Sequence, residues 1–266
     1  MEDLVELIMP FITAVAISLP RILVALFLVP LFSLKLLKGM LRYSIVIAIA
    51  LPVGASLVTE VGHRDLNPLM LGIIMLKESM VGFVIGYLLA MPFWIFQSVG
   101  VMIDNQRGAL SGGYFNPGAG PDSSMMADLL VKVLVMLLIT MGAFPALFSV
   151  LIETYTLWPV LDWTPQFSVD GMNVLIQKFG QLVYKFVLYS GPIVLVLLLI
   201  EAGFAILGTY TPQLQVYFMA MPAKSLVALM VLAMYCGTLW YLGGGDLLEY
   251  HDLRVQLPQI FIPVTQ

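Results

Sequence analysis

Residues that could perform hydrolytic or metal chemistry are few in this chain and poorly placed for it. His63 and His251 are the two histidines, and neither belongs to a His-Glu-x-x-His pair of the kind that holds zinc in a protease. The single Cys236 cannot build a cysteine metal cluster within the chain. A single cysteine forms no intrachain disulfide, and the apolar run around Cys236 predicts an inert core thiol. We therefore expect no catalytic residue, no metal site and no cofactor.

One short motif matches a catalytic signature. Gly243-Gly-Gly-Asp246 fits the Gly-x-Gly-Asp pattern of intramembrane aspartyl proteases. That chemistry needs a second aspartate on a facing helix, because two carboxylates must share a proton. No other aspartate lies inside an apolar run, and Asp246 stands at the end of one. We interpret the match as chance, and no enzyme activity is expected.

A polar, glycine-rich segment from Ile103 to Asp122 separates two uncharged runs, 79–103 and 133–152. Its glycines and prolines predict that no continuous helix crosses it. Lipid cannot satisfy the amides of such a segment, so it must lie in water or line a cavity. Two interpretations stay open at this point: a solvated connector, or a loop folded back into a pore or site.

The composition indicates the class of protein. The chain has 61% hydrophobic and only 11% charged residues, and its mean hydropathy is +0.99. These values are typical of an integral membrane protein. The net charge of −4 is small and argues against a nucleic-acid partner. We expect one all-α membrane domain over residues 1–266, with a central loop at about 103–122 and a mixed tail at about 246–266.

About six apolar segments of roughly membrane-spanning length can be traced. They lie at 4–34, 43–59, from about 69 to 103, 133 to about 158, around 178–200, and 225–245. Charges interrupt or border several of them, and a buried charge should face a partner, a cavity or water. The alternatives are snorkelling to an interface and an ion pair within the chain. The residues concerned are Arg21, Lys77, Glu78, Lys178, Lys185, Glu201 and Lys224.

The polar segment also carries a resemblance. Ile103-Asp-Asn-Gln-Arg-Gly108, followed by a loop rich in glycine and proline, resembles the hallmark of the SctT/SpaR/YscT/FliR family. These proteins are export-apparatus subunits of bacterial type III secretion systems. Glu78 with Gly82 and Gly86, and the stretch from Glu201 to Gly208, agree in order and place. The Ile-Asp-Asn-Gln-Arg-Gly form is closer to the injectisome branch than to the flagellar one, and the tail after Gly245 matches nothing in the family.

The resemblance implies a non-enzymatic subunit of a helical, cone-shaped gate that passes unfolded polypeptide. Its partners would be SctR/FliP-like and SctS/FliQ-like subunits, with SctU/FlhB-like and SctV/FlhA-like components nearby. The location would be the bacterial inner membrane, with protrusion toward the periplasm. The segment from Gly108 to about Pro121 would plug the channel from a base at Asp104–Arg107. The residues implied in the plug and its base are Asp104, Asn105, Gln106, Arg107, Gly108, Ser111, Gly112, Gly113, Tyr114, Phe115 and Pro117.

Two other functions fit the residues without the resemblance. A secondary transporter for a small solute would use broken helices and embedded charges to bind its substrate, although we find no convincing inverted repeat. A membrane scaffold without a conduit is the third class. An isolable hetero-oligomer would support the gate, and a stable lone protein with solute flux would support the transporter.

Overall fold

The computed structural model describes residues 2–32, 39–64, 67–108, 124–162, 169–211 and 216–260. Every regular element in these ranges is helical, which confirms the all-α prediction. The α-helices are α1 (Glu2–Leu28), α2 (Met40–Gly62), α3 (Pro68–Gln106), α4 (Met125–Thr140), α5 (Phe144–Leu157), α6 (Val169–Tyr210) and α7 (Val216–Ile260), with a 3-10 turn at Pro30–Phe32. Five helices are long and apolar enough to cross a membrane, and α4 with α5 would add a sixth span if that pair counts as one. The prediction of about six apolar segments is confirmed.

The fourth apolar run, expected as one segment, is divided into two helices. Helix α4 ends at Thr140, and Gly142 adopts a φ of 68°, a conformation that residues with a Cβ rarely take. Proline in the first turn of α5 then favours a new helix start, because its missing N–H would have no partner there. A glycine followed closely by a proline therefore separates α4 from α5.

The mixed C-terminal tail, for which the sequence predicts no particular structure, is largely helical. Helix α7 continues through it to Ile260. Tyr250, Leu253 and Leu257 are buried along this extension. Buried side chains four and three residues apart lie on one helical face, so packing of that face stabilises the extension in spite of its mixed composition.

The described chain forms two compact units. Unit 1 comprises residues 1–91, 142–178 and 248–266, and unit 2 comprises residues 92–141 and 179–247. Unit 1 therefore contains α1, α2, α5 and the N-terminal part of α3. Unit 2 contains α4, the C-terminal part of α3 and most of α6 and α7.

Close helix approaches at glycines organise unit 1. A Cβ on Gly86 of α3 would lie 2.7 Å from the Cα of Ala25 in α1, and a Cβ on Gly82 would overlap the backbone of Arg21. The two glycines are four residues apart on one face of α3, a spacing that lets two helix backbones meet. The contact holds Arg21 of α1 directly against α3, one turn beyond Glu78.

Replacing Gly86 by alanine is expected to destabilise unit 1 by about 1–3 kcal/mol, because α1 must move to admit the methyl group. The matched control is Gly72→Ala in the same helix, where nothing lies within 4 Å of the added Cβ. Detergent-solubilised protein with each substitution should be compared by midpoint of SDS-induced unfolding. Equal midpoints for the two variants would show that α1 and α3 can move apart to admit the methyl group without loss of stability.

Unit 2 leaves much of its apolar surface uncovered. In the most apolar 18-residue stretch of α3, 67% of the residues are buried. The corresponding share is 11% in α6 and 17% in α7. Cys236 lies on an exposed part of α7, so its prediction as a core thiol is wrong. Its neighbours in the sequence are as apolar as those of a core residue, but its side chain is exposed in the part of the chain that the structure describes.

Candidate functional site

The end of α3 forms one side of the candidate site. Helix α3 continues through Ile103, Asp104 and Asn105 to Gln106, so the expected loop begins later than residue 103. Gly108 follows with a φ of 76°, and its N–H donates to the Asn105 carbonyl at 3.1 Å. A glycine in this conformation is a common way to end a helix. Asp104 and Arg107 are therefore carried by the last turns of a long, packed helix.

The carboxylate of Asp104 lies at the N-terminus of α4. Its Oδ2 accepts hydrogen bonds from the hydroxyl of Ser124 at 2.6 Å and from the backbone N–H of Met126 at 3.0 Å. Ser124 is the N-cap of α4, and its Oγ also accepts from the N–H of Ala127 at 3.1 Å. The first turn of a helix presents unpaired N–H groups and a partial positive charge, which a carboxylate neutralises.

The same carboxylate binds Arg107. Its Oδ1 accepts from Nε and lies 2.7 Å from a terminal nitrogen of the guanidinium. Asp104 is 1% exposed and Arg107 12%, so water screens this pair little, and two guanidinium nitrogens meet the same carboxylate oxygen in a charge-assisted contact. We call the four residues Asp104, Arg107, Gly108 and Ser124 the loop base. One buried carboxylate thus joins residues that precede segment 109–123 to residues that follow it.

Gly100 explains why the carboxylate can reach α4. A Cβ on Gly100 would overlap the backbone of Ala127, so α3 and α4 touch at this point. Asp104 lies four residues later on the same face of α3, which places its carboxylate at the start of α4. Met221 of α7 packs beside Gly108, so the loop base rests on three helices of unit 2.

The structure brings together part of the predicted plug set. Asp104, Arg107 and Gly108 contact or adjoin one another, while Asn105 is exposed and Gln106 half-buried on the same turn. Ser111, Gly112, Gly113, Tyr114, Phe115 and Pro117 lie outside the described residues. Ser124 is the residue that sequence reasoning missed. Its signal was a serine directly before an apolar helical run, which is a common N-cap.

Unit 1 contains a second polar cluster, which we call the buried charge centre: Arg21, Lys77 and Glu78. Arg21 and Glu78 are 0% exposed. The guanidinium donates to both carboxylate oxygens, at 2.7 and 3.0 Å. The ammonium of Lys77 lies 3.0 Å from the same carboxylate. Two cations thus share one fully buried anion, a grouping that needs further acceptors to be stable.

Those acceptors come from the end of α5 and the residues after it. Arg21 donates to the carbonyls of Thr154 and Trp158 at 2.8 and 3.0 Å. Lys77 donates to the carbonyls of Val160 and Asp162 at 2.5 and 2.8 Å. The last carbonyls of a helix have no partners within it and carry a partial negative charge. The excess positive charge of the centre is therefore offset by the C-terminal end of α5.

The remaining embedded lysines pair across α6 and α7. Lys185 lies 2.8 Å from Asp246, whose oxygens also accept from the hydroxyl of Tyr189. Lys224 lies 2.8 Å from Glu201. Lys178 lies 3.6 Å from Glu249. Each of these lysines has a carboxylate partner on the facing helix of its own chain.

One of the alternatives left open for the embedded charges, ion pairs within the chain, is found in the structure. All seven singled-out residues take part in ion pairs within the chain. Asp246, which the sequence showed only as a chance protease motif, is a structural counter-ion. Glu201 keeps 51% of its side chain exposed, so it faces outward while bound to Lys224. Whether these residues also govern assembly stays a prediction.

Comparison with known proteins agrees with the resemblance. A family model described as "Bacterial export proteins, family 1" matches residues 12–247. This range includes the loop base and the buried charge centre. It ends at residue 247, which is also the last residue of unit 2. The part of α7 beyond it corresponds to the tail for which the sequence offered no counterpart.

Individual relatives come from both branches of the family. The Yop proteins translocation protein T of Yersinia pestis is 32% identical over 219 residues, which is 82% of this chain and 84% of the relative. The surface presentation of antigens protein SpaR of Salmonella typhimurium is 29% identical over 225 residues, 84% of this chain and 83% of the relative. The flagellar biosynthetic protein FliR of Bacillus subtilis is 24% identical over 157 residues, 59% and 61% of the two chains. The chain therefore belongs to the bacterial export proteins of family 1, the SctT/SpaR/YscT/FliR family, and it stands nearer to the injectisome branch than to the flagellar branch.

Proposed function

We propose that this chain is a non-enzymatic subunit of the export gate of a bacterial type III secretion apparatus. It lies in the inner membrane, protrudes toward the periplasm, and helps to form the entrance through which unfolded polypeptides leave the cell. Its relatives are named for translocation, secretion and flagellar biosynthesis, which supports a role in protein secretion. Its partners in this proposal are the SctR/FliP-like and SctS/FliQ-like subunits, with the SctU/FlhB-like and SctV/FlhA-like components beside them.

The uncovered helices support a role as a subunit. The described α6 and α7 leave most of their apolar residues unburied although they are among the longest helices. Their lysines are paired with carboxylates within the chain, and large exposed apolar side chains such as Leu199 and Met234 lie along both helices. Apolar helix faces of this kind pack against neighbouring membrane helices or lipid. A multi-subunit membrane assembly would cover them.

The plug function rests on the loop base. A segment that blocks a channel and moves aside must change shape while its attachment points stay in place. The buried Asp104 carboxylate holds the end of α3 to the start of α4 through Arg107, Ser124 and Met126. The residues on either side of segment 109–123 are thus held together by one buried carboxylate. Its glycines favour several backbone shapes, and Tyr114 and Phe115 supply bulk to fill the channel.

Deleting residues 111–120 is expected to raise the resting ion permeability of the assembled apparatus, because the plug is shortened while the loop base is kept. The measurement is membrane conductance, or entry of a small solute, in cells that carry the complex. Complex abundance measured in the same cells serves as the control for assembly. A deletion that assembles in normal amount and leaks no more than the unmodified chain would leave this segment as a surface connector.

The ion pairs count against the transporter hypothesis. That hypothesis used broken helices and embedded charges to bind a solute or a proton. The seven embedded charges singled out from the sequence are held in ion pairs within the described chain. A solute site built on them would first have to break those pairs, at a cost of several kcal/mol each for the buried ones.

A further inference from the structure

The N-terminus of α2 is open and lacks an acidic residue. Helix α2 begins at Met40 after Gly39, which has a φ of 50° and no side chain to cap the helix. The first turn contains no Asp or Glu, and a Cβ placed on Gly39 would meet nothing within 4 Å. The first N–H groups of a helix have no partner within it and carry a partial positive charge. The start of α2 therefore presents unpaired donors to whatever lies in front of it.

Arg42, the third residue of α2, is a buried cation beside this open end. Its side chain is 5% exposed, and its guanidinium carbon lies 4.6 Å from the centre of the Phe27 ring of α1. Arg21 and Arg107 each bind a carboxylate, whereas no carboxylate of the described residues pairs with Arg42. Its Nε has no hydrogen-bond partner. A buried guanidinium with an unfilled donor is unfavourable until an acceptor meets it.

The side chain of Arg42 and the backbone donors of α2 converge. Side chains of an α-helix tilt toward its N-terminus, so a residue in the first turn directs its polar end back to the start of the helix. The chain already holds an anion in such an arrangement. At the start of α4, the Asp104 carboxylate accepts from the N–H of Met126 and also binds Arg107. The start of α2 has the same two kinds of donor, but no described side chain supplies the anion.

The position of Arg42 along α2 indicates where the anion comes from. The candidate membrane span of α2 begins at Met40, so Arg42 lies within one turn of the end of the span, where lipid headgroups are found. Met40, Leu41 and Tyr43 are exposed around it, and tyrosine is enriched at this depth of a membrane. Residues 22–59 contain three basic residues and no acidic one. Basic connectors of this kind lie on the cytoplasmic side, where anionic lipids attract them.

We infer that the start of α2 binds the phosphate of an anionic phospholipid. The phosphate oxygens accept hydrogen bonds from the Arg42 guanidinium and from the first N–H groups of α2. The acyl chains lie against the exposed apolar side chains of Met40 and Leu41, which a free phosphate ion would leave uncovered. This lipid site goes beyond the export function and does not depend on it.

Native mass spectrometry with a defined lipid tests the site. The full chain is purified in detergent with the subunits that accompany it and is titrated with dioleoylphosphatidylglycerol. Arg42→Gln should raise the dissociation constant of the bound lipid about tenfold, because a charge-assisted hydrogen bond is lost. The matched control is Arg64→Gln, which removes the same charge just beyond the other end of α2 and should leave the affinity unchanged.

A second variant keeps Arg42 and fills the site from within the chain. Met40 is 87% exposed, and Met40→Asp places a carboxylate in the first turn of α2, where it stabilises the helix and takes the place of the phosphate. This variant should bind the lipid as weakly as Arg42→Gln, yet its midpoint of SDS-induced unfolding in lipid-free detergent should not fall. If the Arg42→Gln chain does not accumulate, Met40→Asp decides the result alone.

Three outcomes would overturn the inference while leaving the export function intact. The first is phosphatidylglycerol binding that neither Arg42→Gln nor Met40→Asp weakens. The second is equal affinity for dioleoylphosphatidylcholine, whose headgroup has no net charge. The third is displacement of the lipid by inorganic phosphate at the same concentration, which would assign the site to a free anion.

Discussion

Replacing Glu78 by alanine is expected to reduce the free energy of unfolding by about 3–5 kcal/mol, the usual cost of breaking a buried ion pair by removing one partner. Glu78 is the one anion that Arg21 and Lys77 both contact in the buried charge centre. Without it, two cations remain beside the carbonyls that end α5. This loss is a large fraction of the 5–15 kcal/mol that typically stabilises a folded protein, so the chain should fail to accumulate in membranes.

The measurement combines the steady-state membrane level of the chain with its SDS-induced unfolding in detergent. Glu78→Gln should give an intermediate loss, because the amide keeps one hydrogen-bond acceptor but not the charge. Ser44→Ala, at an exposed position of α2, serves as the control and should change stability by less than about 0.5 kcal/mol. A Glu78→Ala chain with the stability of the control would show that the carbonyls after Thr154 suffice for both cations.

Replacing Asp104 by alanine is expected to detach the end of α3 from the start of α4 and to make the assembled apparatus leak ions. The substitution removes the acceptor of Arg107, Ser124 and the Met126 N–H at once. Leaving Arg107 unpaired where it is 12% exposed should cost several kcal/mol. The measurements are hydrogen exchange at the amides of Met126 and Ala127, which should become faster, and resting membrane conductance, which should rise.

Two smaller substitutions separate the parts of the loop base. Ser124→Ala removes the N-cap and should cost about 1 kcal/mol while the Asp104–Arg107 pair stays intact. Arg107→Ala should leave the contacts of Asp104 with α4 in place and produce a smaller leak than Asp104→Ala. If Asp104→Ala speeds exchange at Met126 but conductance does not rise, the loop base is a structural joint and the plug proposal fails.

The amino-acid sequence by itself determined the class of the protein, the number of its apolar segments and its family. Hydrophobic composition and run length act locally, since any stretch of about twenty apolar residues can satisfy its backbone in lipid only as a helix. The Ile103–Gly108 motif can also be recognised locally, because its residues are consecutive in the sequence and no tertiary contact is needed to identify it. Helix starts and stops were less certain: Ser124 and Gly142 carry recognisable signals, but the continuation of α7 to Ile260 depends on burial of Tyr250 and Leu257.

Tertiary structure alone decided which charges meet. Arg21 pairs with Glu78, 57 residues away, and Lys185 pairs with Asp246, 61 residues away. Asp104 binds across segment 109–123 to Ser124. Each of these contacts requires two helices to approach at a particular depth and rotation, and the approaches of α3 to α1 and α4 are set by glycines that remove a Cβ from the contact. An ion pair depends on a few ångströms, and hydrophobic periodicity carries no such distances between helices.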